Sequence, residues 1–239
     1  MPIHIHASPE ELAEFVLLPG DPDRAAHIAS NFLDGASRYN SYRHLYGYTG
    51  FFEGTRVSVQ CTGMGSPSAA IVCHELLQLG ARVFLRVGTC GALQPRLQLG
   101  ELIAVNVATP LDGATRDLLG AHISPVADFG LLSTLVREAR TQDLPVHVGP
   151  VGTCDLFYDP RPERFQALER SGLLALEMES SMVLASAANA GQRAASLLTV
   201  SDIIATQRRA DPKLLARSVD AMIELALRSA RQFLSEQTF

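Results

Sequence analysis

Residues 173–202 constrain the fold most, because this segment holds two short apolar runs on either side of an alanine-rich stretch. Residues 173–176 and 195–200 do not alternate strictly between apolar and polar side chains, which is typical of strands covered on both faces. Residues 180–190 favour a helix that ends at Gly191. A helical connection between two buried strands predicts that the strands lie parallel.

Three carboxylates follow these two runs. Glu177 and Glu179 come after the first run, and Asp202 comes after the second. In open α/β sheets, ligands bind at the carboxyl ends of the strands. The pattern therefore predicts that the three acids share a ligand-binding edge, although each acid taken singly fits a solvated loop equally well.

The size and composition of the chain indicate one α/β domain. With 239 residues, 47% of them apolar, residues 1–239 are predicted to form a single domain. The N-terminus has no signal-peptide pattern and no apolar run approaches the ~20 residues of a membrane helix, so a soluble, cytoplasmic protein without membrane contact is expected. A formal net charge of −5 gives no basic field for nucleic acid, and any bound anion must be held by local arginines.

The four cysteines lie far apart without a C-x-x-C pair, which argues against a disulfide framework or a zinc site. They are Cys61, Cys73, Cys90 and Cys154. We expect them to be reduced and mostly buried.

A strand, a glycine turn and a helix follow one another near the N-terminus. Residues 15–18 are an apolar run that ends before Gly20, and Asp21 can cap a helix that runs to residue 32. Free N–H groups at such a helix start attract anions, and Arg24 adds a full charge beside them. An anion site is predicted here; an ordinary turn with a surface arginine is the alternative.

The same order recurs at residues 62–68, TGMGSPS. The glycines make a tight turn after a strand, and Pro67 starts a helix that is predicted to run to residue 79. The helix is expected to turn Ile71, Leu76 and Leu77 inward.

Arg86 lies within the apolar strand predicted at residues 83–87, directly before a glycine-rich turn. A buried arginine is tolerable only with an anionic partner. Arg86 is therefore a candidate ligand for an anionic substrate, with an internal salt bridge as the alternative.

The remaining elements follow from the same signals: hairpin strands at 48–52 and 56–61, strands at 102–107 and 146–151, a polar loop at 109–124, a helix at 128–141 and an amphipathic C-terminal helix capped by Asp211. Phe157 and Tyr158 lie in a proline-rich loop, where core packing is the usual explanation for adjacent aromatic residues.

Seven segments together carry a resemblance: PGDPDR, YRHLYGYTG, TGMGSPSAAIVCHEL, LRVGTCGAL, LFY, LEMES and TVSD. Their order and spacing resemble those of the hexameric nucleoside phosphorylases over the whole chain, and most closely the short-subunit bacterial purine nucleoside phosphorylases. The resemblance implies a single-domain three-layer α/β/α fold with a central mixed, mostly parallel sheet.

The resemblance also implies roles for individual residues. The positions that match the family's phosphate contacts are Gly20, Arg24, Arg86 and Thr89, with Arg43 lent across a dimer interface. Those that match its nucleoside contacts are His4, Met64, Cys90, Gly91, Phe157, Glu177, Met178, Glu179, Ser201 and Asp202. Among these, Glu179 is expected to bind the ribose hydroxyls, and His4 is expected to reach the 5′-hydroxyl of the nucleoside in the neighbouring subunit.

The activity that the resemblance implies is phosphorolysis of purine nucleosides and deoxynucleosides to a free base and a pentose 1-phosphate, in purine salvage. Asp202 would donate a proton to N7 of the leaving base. Inorganic phosphate is a co-substrate, and no cofactor or metal is expected. The expected assembly is a homohexamer, arranged as a trimer of dimers.

The sequence departs from the family's pattern at one catalytic position. The arginine that assists the aspartate in purine-specific members falls on Leu215 in an ungapped comparison. A shift of one or two residues makes Arg217 the equivalent, which is the assignment adopted, with Arg208 and Arg209 as alternatives.

Two other segments, PLDGATRDL and PRPERF, lean toward the uridine phosphorylases, which share the fold. Arg164 matches an arginine with which those enzymes bind uracil, but Pro162 stands where they have a glutamine. The missing glutamine and the presence of Asp202 favour purines. Uridine phosphorylase remains the alternative, and a non-catalytic nucleoside-binding protein is a more distant one.

Overall fold

The computed structural model describes residues 2–120 and 122–236. In chain order the strands are β1 (Phe15–Leu18), β2 (Asp34–Asn40), β3 (Gly47–Phe52), β4 (Thr55–Gln60), β5 (Val83–Ala92), β6 (Leu102–Pro110), β7 (Val146–Thr153), β8 (Ala175–Glu177), β9 (Arg193–Ile203) and β10 (Arg208–Arg209). The α-helices are α1 (Pro22–Phe32), α2 (Ser66–Gln78), α3 (Gly113–Leu119), α4 (Phe129–Thr141), α5 (Pro162–Arg170), α6 (Ser180–Asn189) and α7 (Pro212–Glu236).

The strands form one mixed sheet in the order β10-β9-β6-β7-β8-β5-β1-β4-β3-β2. A further pairing joins β9 to β5, so that β5, β9, β6, β7 and β8 close into a ring. Among the described strands, five pairings are parallel and five are antiparallel. The predicted α/β fold with a central mixed sheet is confirmed.

Helices cover both faces of this sheet, which gives three layers. One apolar cluster packs α2 and α6 against the sheet, with Leu76 and Val183 fully buried. A second cluster packs α1, α4 and α7 against the opposite face, with Ile28, Leu135 and Ile223 fully buried. Strand β5 contributes Phe84 to the first cluster and Leu85 to the second, as expected for a strand buried on both faces.

The local predictions near the N-terminus are confirmed. Strand β1 and helix α1 have the predicted bounds, and the Asp21 side chain caps α1 by accepting a hydrogen bond from the backbone N–H of Asp23 at 2.9 Å. Strands β3 and β4 form the predicted hairpin around Glu53 and Gly54. The four cysteines are free and buried, as expected.

The predicted direction of β8 is wrong. Strand β8 runs antiparallel to β5, whereas β9 runs parallel to β5, so β8 and β9 point in opposite directions. The rule used in the prediction applies to strands that a helix connects within one open sheet. Here β8 is only three residues long and pairs with the tip of β5, at Gly91 and Ala92, where it closes the ring.

Several other predictions need correction. The segment 109–124 is not all loop, because Asp112 caps α3 within it. Helix α5 and strand β2 were not predicted, since α5 lies in a proline-rich region and β2 is mostly exposed. Ile71 is exposed on α2, although Leu76 faces the core as predicted. Ile71 and Val72 are adjacent apolar residues, and the sequence alone does not show that Val72 is the one that faces the sheet.

No described helix is both long and apolar enough to cross a membrane.

Candidate active site

A cavity of about 820 Å³ opens where β1, β5 and β9 end. It brings together most of the residues that the sequence singled out: Gly20, Arg24, Met64, Arg86, Thr89, Cys90, Gly91, Phe157, Glu177, Met178, Glu179, Ser201 and Asp202. The three acids after residues 173–176 and 195–200 therefore share one site, despite the reversed direction of β8. The site lies at the carboxyl ends of parallel strands, where α/β folds bind ligands.

Arg86 lines this cavity and is buried, with 3% of its surface exposed. Its Nε donates to Oε2 of Glu177 at 2.9 Å, and its Nη2 donates to Oε2 of Glu179 at 2.6 Å. Its Nη1 is buried without a hydrogen-bond partner among the described residues. The internal salt bridge considered from the sequence is present, yet it leaves one nitrogen of the guanidinium unpaired.

The carboxylate of Glu177 holds Arg86 in place. Besides the guanidinium, it accepts hydrogen bonds from the Thr153 hydroxyl at 2.5 Å and from the backbone N–H groups of Glu179 and Ser180 at 3.0 and 2.8 Å. The last two belong to the start of α6, where the helix dipole also favours a negative charge. Protein donors therefore occupy Glu177, and its role is to orient Arg86.

Glu179 is the less satisfied of the two acids. Its Oε1 accepts from the backbone N–H of Gly65 at 2.5 Å, and its Oε2 accepts from Arg86. Burial raises the pKa of Glu179; the attraction of Arg86 opposes this shift, and the repulsion of the neighbouring carboxylate of Glu177 adds to it. Burial alone would lower the pKa of Arg86, but Glu179 and Glu177 together raise it above its ordinary value. Arg86 is therefore always charged, and Glu179 has fewer protein partners than Glu177.

One glycine makes room for the guanidinium, and a second lies beside it. A Cβ at Gly88 would lie 2.6 Å from Nη2 of Arg86, so the arginine can fold back over its own strand only because Gly88 has no side chain. A Cβ at Gly20 would lie 3.2 Å from the carbonyl oxygen of Gly63, and 3.9 Å from Nη1 of Arg86. The unpaired nitrogen thus lies beside the turn between β1 and α1.

Arg24 lies on the first turn of α1 at the same end of the cavity. Its Nη1 donates to the carbonyl oxygen of Val87 at 3.3 Å. Burial lowers the pKa of Arg24, an effect that Asp21 opposes and Arg86 reinforces. An arginine keeps its charge under such a shift. Arg24, Arg86 and the N-terminus of α1 together give this end of the cavity a positive character.

Asp202 lies near the end of β9, next to Gly91 of β5. Its Oδ1 accepts a hydrogen bond from the Ser201 hydroxyl at 2.9 Å. A Cβ at Gly91 would lie 2.8 Å from Oδ2 of Asp202, so Gly91 lets the carboxylate approach β5 closely. The backbone of Arg209 in β10 pairs with Asp202, and Arg209 also lines the cavity.

Two aromatic side chains form part of the cavity wall. Phe157 is 58% exposed and Tyr158 is 85% exposed, so the expectation that they pack in the core is wrong. The loop places them at the cavity, where their rings meet edge to face with centroids 4.9 Å apart. The guanidinium carbon of Arg209 lies 5.9 Å from the Phe157 ring centroid. The two rings therefore give the cavity that holds Asp202 a partly apolar wall.

Three predicted site residues do not line the cavity in the single chain. His4 is tied to Glu75, and Arg43 is exposed in a short helical turn with a positive φ of 54°. Arg217 is exposed on α7.

Gly88 and Thr153 contribute to the site but were not predicted from the sequence. A glycine inside a strand two residues after a buried arginine was the available signal for Gly88, while nothing in the sequence links Thr153 to Glu177.

Comparison with known proteins agrees with this geometry. The sequence model of the Phosphorylase superfamily matches residues 14–236. A DeoD-type purine nucleoside phosphorylase from Myxococcus xanthus (strain DK1622) is 44% identical over 226 residues, covering 94% of this chain and 95% of the relative. One from Geobacillus kaustophilus (strain HTA426) is 42% identical over 232 residues, covering 96% and 98%. One from Jannaschia sp. (strain CCS1) is 39% identical over 235 residues, covering 96% and 99%. The resemblance stated from the sequence is confirmed, and the chain belongs to the phosphorylase superfamily.

Proposed function

We propose that the chain catalyses the phosphorolysis of purine nucleosides, which yields a free purine base and a pentose 1-phosphate. The observation that carries this proposal is the unpaired Nη1 of Arg86, buried in the cavity beside Gly20. A buried donor without a partner costs about 1–3 kcal/mol, and an oxyanion would remove that cost. The names of the relatives, all purine nucleoside phosphorylases, support the same reaction.

Phosphate would bind at the positive end of the site. Arg24 and Arg86 provide two guanidiniums there, and the N-terminus of α1 adds its dipole. Thr89 lines the same cavity and has a hydroxyl that can donate to a phosphate oxygen. A nucleosidase, which cleaves nucleosides with water instead of phosphate, would not need two arginines and a helix N-terminus at this end of the cavity.

The ribose would lie against Glu179 and Met178. A carboxylate accepts hydrogen bonds from the 2′- and 3′-hydroxyls, and Glu179 has room for them because only the backbone N–H of Gly65 and Arg86 donate to it. Met178 lines the cavity and offers an apolar surface for the sugar.

The base would lie near Asp202, against the surface that Phe157 provides. In the reaction a phosphate oxygen bonds to C1′ as the bond from C1′ to N9 breaks, and the electron pair leaves with the base. A proton from Asp202 to N7 neutralises the leaving base, while phosphate balances the positive charge that develops on the ribose. Neither step needs a metal or cofactor, and the absence of one stays a prediction.

The geometry around Arg164 disfavours the pyrimidine alternative. Arg164 is the arginine that would bind uracil, but its Nη1 pairs with Asp159 at 2.5 Å, and Arg164 does not line the cavity. Asp202, which a purine requires, does line it. A non-catalytic nucleoside-binding role is also disfavoured, since such a protein needs neither a proton donor nor two arginines in its cavity.

The assembly we propose is a hexamer built as a trimer of dimers, in which His4 and Arg43 complete the site of a neighbouring subunit. Supporting it, exposed apolar side chains lie beside these two residues or one helical turn from Glu75 on α2: Ile3, Tyr42 and Ile71. Isolated exposed apolar residues are common, but a group of them in one region is typical of an interface. A cytoplasmic location stays a prediction.

The first test replaces Asp202 with asparagine, which keeps the size and most hydrogen bonding of the side chain but removes the proton. We expect kcat on inosine to fall about 10²-fold or more. Turnover of 7-methylguanosine should change little, because its base already carries the charge that protonation creates. Equal losses on both nucleosides would contradict the role of Asp202, and uridine as the best substrate would overturn the purine assignment.

A second test asks which arginine assists Asp202. We infer that it is Arg209, because Arg209 lines the cavity and its backbone pairs with Asp202, whereas Arg217 on α7 does not line the cavity. Arg209→Leu is expected to lower kcat on inosine by about 10-fold or more, through loss of a cation that stabilises the Asp202 carboxylate. Arg217→Leu is the matched control and should stay within about twofold of the wild type. The opposite ranking would restore the sequence-based assignment of Arg217.

A third test concerns the shared sites. Chains carrying Arg43→Ala and chains carrying Asp202→Ala are expected to be nearly inactive separately. If Arg43 acts in its partner's site, each mixed dimer has one intact site, and a random equal mixture should recover about a quarter of the wild-type activity. Assemblies shown by mass spectrometry to contain both chains, yet without recovered activity, would place both residues in the same subunit's site.

A further inference from the structure

The N-terminal segment ahead of β1 is attached to α2 by one side chain. The Glu75 carboxylate accepts backbone hydrogen bonds from Ile3 at 3.1 Å, His4 at 2.8 Å and Ile5 at 2.7 Å. It also lies 2.8 Å from Nδ1 of the His4 ring. Glu75 is thus bound to three consecutive residues and to the ring of the middle one.

These four contacts use the capacity of the Glu75 carboxylate, which has about four lone-pair positions. Burial would raise the pKa of Glu75, but the hydrogen bonds from the His4 ring and from the three backbone N–H groups outweigh it and lower the pKa to about 2. Glu75 therefore stays ionised at any pH at which the protein works. It has no position left for a substrate.

The contact determines how His4 presents its ring. An ionised carboxylate only accepts hydrogen bonds, so Nδ1 of His4 must be the donor. Nε2 of His4 makes no hydrogen bond with any residue in the described part of the chain. In a neutral imidazole with the proton on Nδ1, Nε2 is an acceptor. A group that meets Nε2 must then supply a hydrogen.

We propose that Glu75 is a positioning residue that holds His4 as an acceptor for the 5′-hydroxyl of the nucleoside bound in the neighbouring subunit. This inference rests on the role proposed above for His4. It adds a substrate preference: nucleosides with a free 5′-hydroxyl are favoured over 5′-deoxy and 5′-O-alkyl nucleosides. The 5′-O-alkyl compounds keep the oxygen but lack the hydrogen that Nε2 needs.

His6 provides a matched control. It lies two residues from His4, but its Nε2 bonds to the carbonyl oxygen of Ile3, and its ring stacks on Tyr42 with centroids 4.7 Å apart. Its side chain makes no contact with Glu75 among the described residues. Loss of the His6 ring therefore tests general disturbance of the N-terminal segment.

The experiment compares kcat/KM for inosine with kcat/KM for 5′-deoxyinosine, in the wild type and in His4→Ala, Glu75→Gln and His6→Ala. The ratio of the two values should fall about 3- to 10-fold in His4→Ala, the worth of one hydrogen bond. Glu75→Gln should lower the ratio by a similar factor, and His6→Ala should leave it unchanged. The double variant His4→Ala/Glu75→Gln should match His4→Ala, because both changes remove the same contact.

The outcomes separate this inference from the proposed function. If His4→Ala lowers the ratio while Glu75→Gln lowers both kcat/KM values equally, Glu75 is only a structural anchor and the inference is wrong. If His4→Ala leaves the ratio unchanged, the contact between subunits fails, and the inference fails with it. Should Glu75→Gln not fold, the nitrogen NMR signals of labelled histidine in the wild type decide: the neutral Nδ1–H tautomer of His4 supports the inference, and either the Nε2–H tautomer or a doubly protonated ring overturns it.

Discussion

The ion-paired cluster of Arg86, Glu177 and Glu179 is the interaction on which the rest of the site depends. Removing one partner from a buried ion pair costs about 3–5 kcal/mol, because the remaining charge is left without compensation. The three residues come from β5, from β8 and from the start of α6, so the cluster also joins these elements. Closure of the strand ring at Gly91 and Ala92 brings β8 close enough for Glu177 to reach Arg86. Fold and site are therefore held by the same contacts.

The two carboxylates of this cluster serve different purposes. Glu177 is satisfied by protein donors and only orients the guanidinium, whereas Glu179 has few partners and a raised pKa. Glu75 repeats the arrangement seen at Glu177, since backbone N–H groups bind its carboxylate while it orients a basic side chain. In both places a carboxylate with all its hydrogen-bond positions filled orients a basic side chain, Arg86 or His4. That side chain keeps one nitrogen without a partner among the described residues.

Sequence patterns that depend on local chemistry were reliable. The turn between β1 and α1 follows from Gly20 and Asp21, and the cost of burying a charge identified Arg86 as a residue with an anionic partner. The two acids Glu177 and Asp202 reach the same cavity because strand ends carry them there. These predictions depend only on residues close together in sequence, and the structure agrees with them.

Features that depend on distant parts of the chain could not be predicted. The direction of β8 is set by ring closure between strands that are far apart in sequence. Phe157 resembles a core residue in sequence, but its loop turns it to the cavity, where it meets Arg209. The groups that bind the Glu75 carboxylate lie 70 to 72 residues away in sequence. Local sequence patterns do not link residues at that separation. The resemblance of sequence motifs to the nucleoside phosphorylases suggested His4 and Arg43 as site residues. Neither of them lines the cavity of a single chain.

The unpaired nitrogen of Arg86 is proposed to bind the phosphate that attacks the nucleoside. The most direct measurement incubates the purified protein with inosine, with and without inorganic phosphate, and follows hypoxanthine, ribose and ribose 1-phosphate. We expect equal amounts of hypoxanthine and ribose 1-phosphate when phosphate is present, and no cleavage when it is absent. Hypoxanthine released together with free ribose in phosphate-free buffer would contradict this proposal.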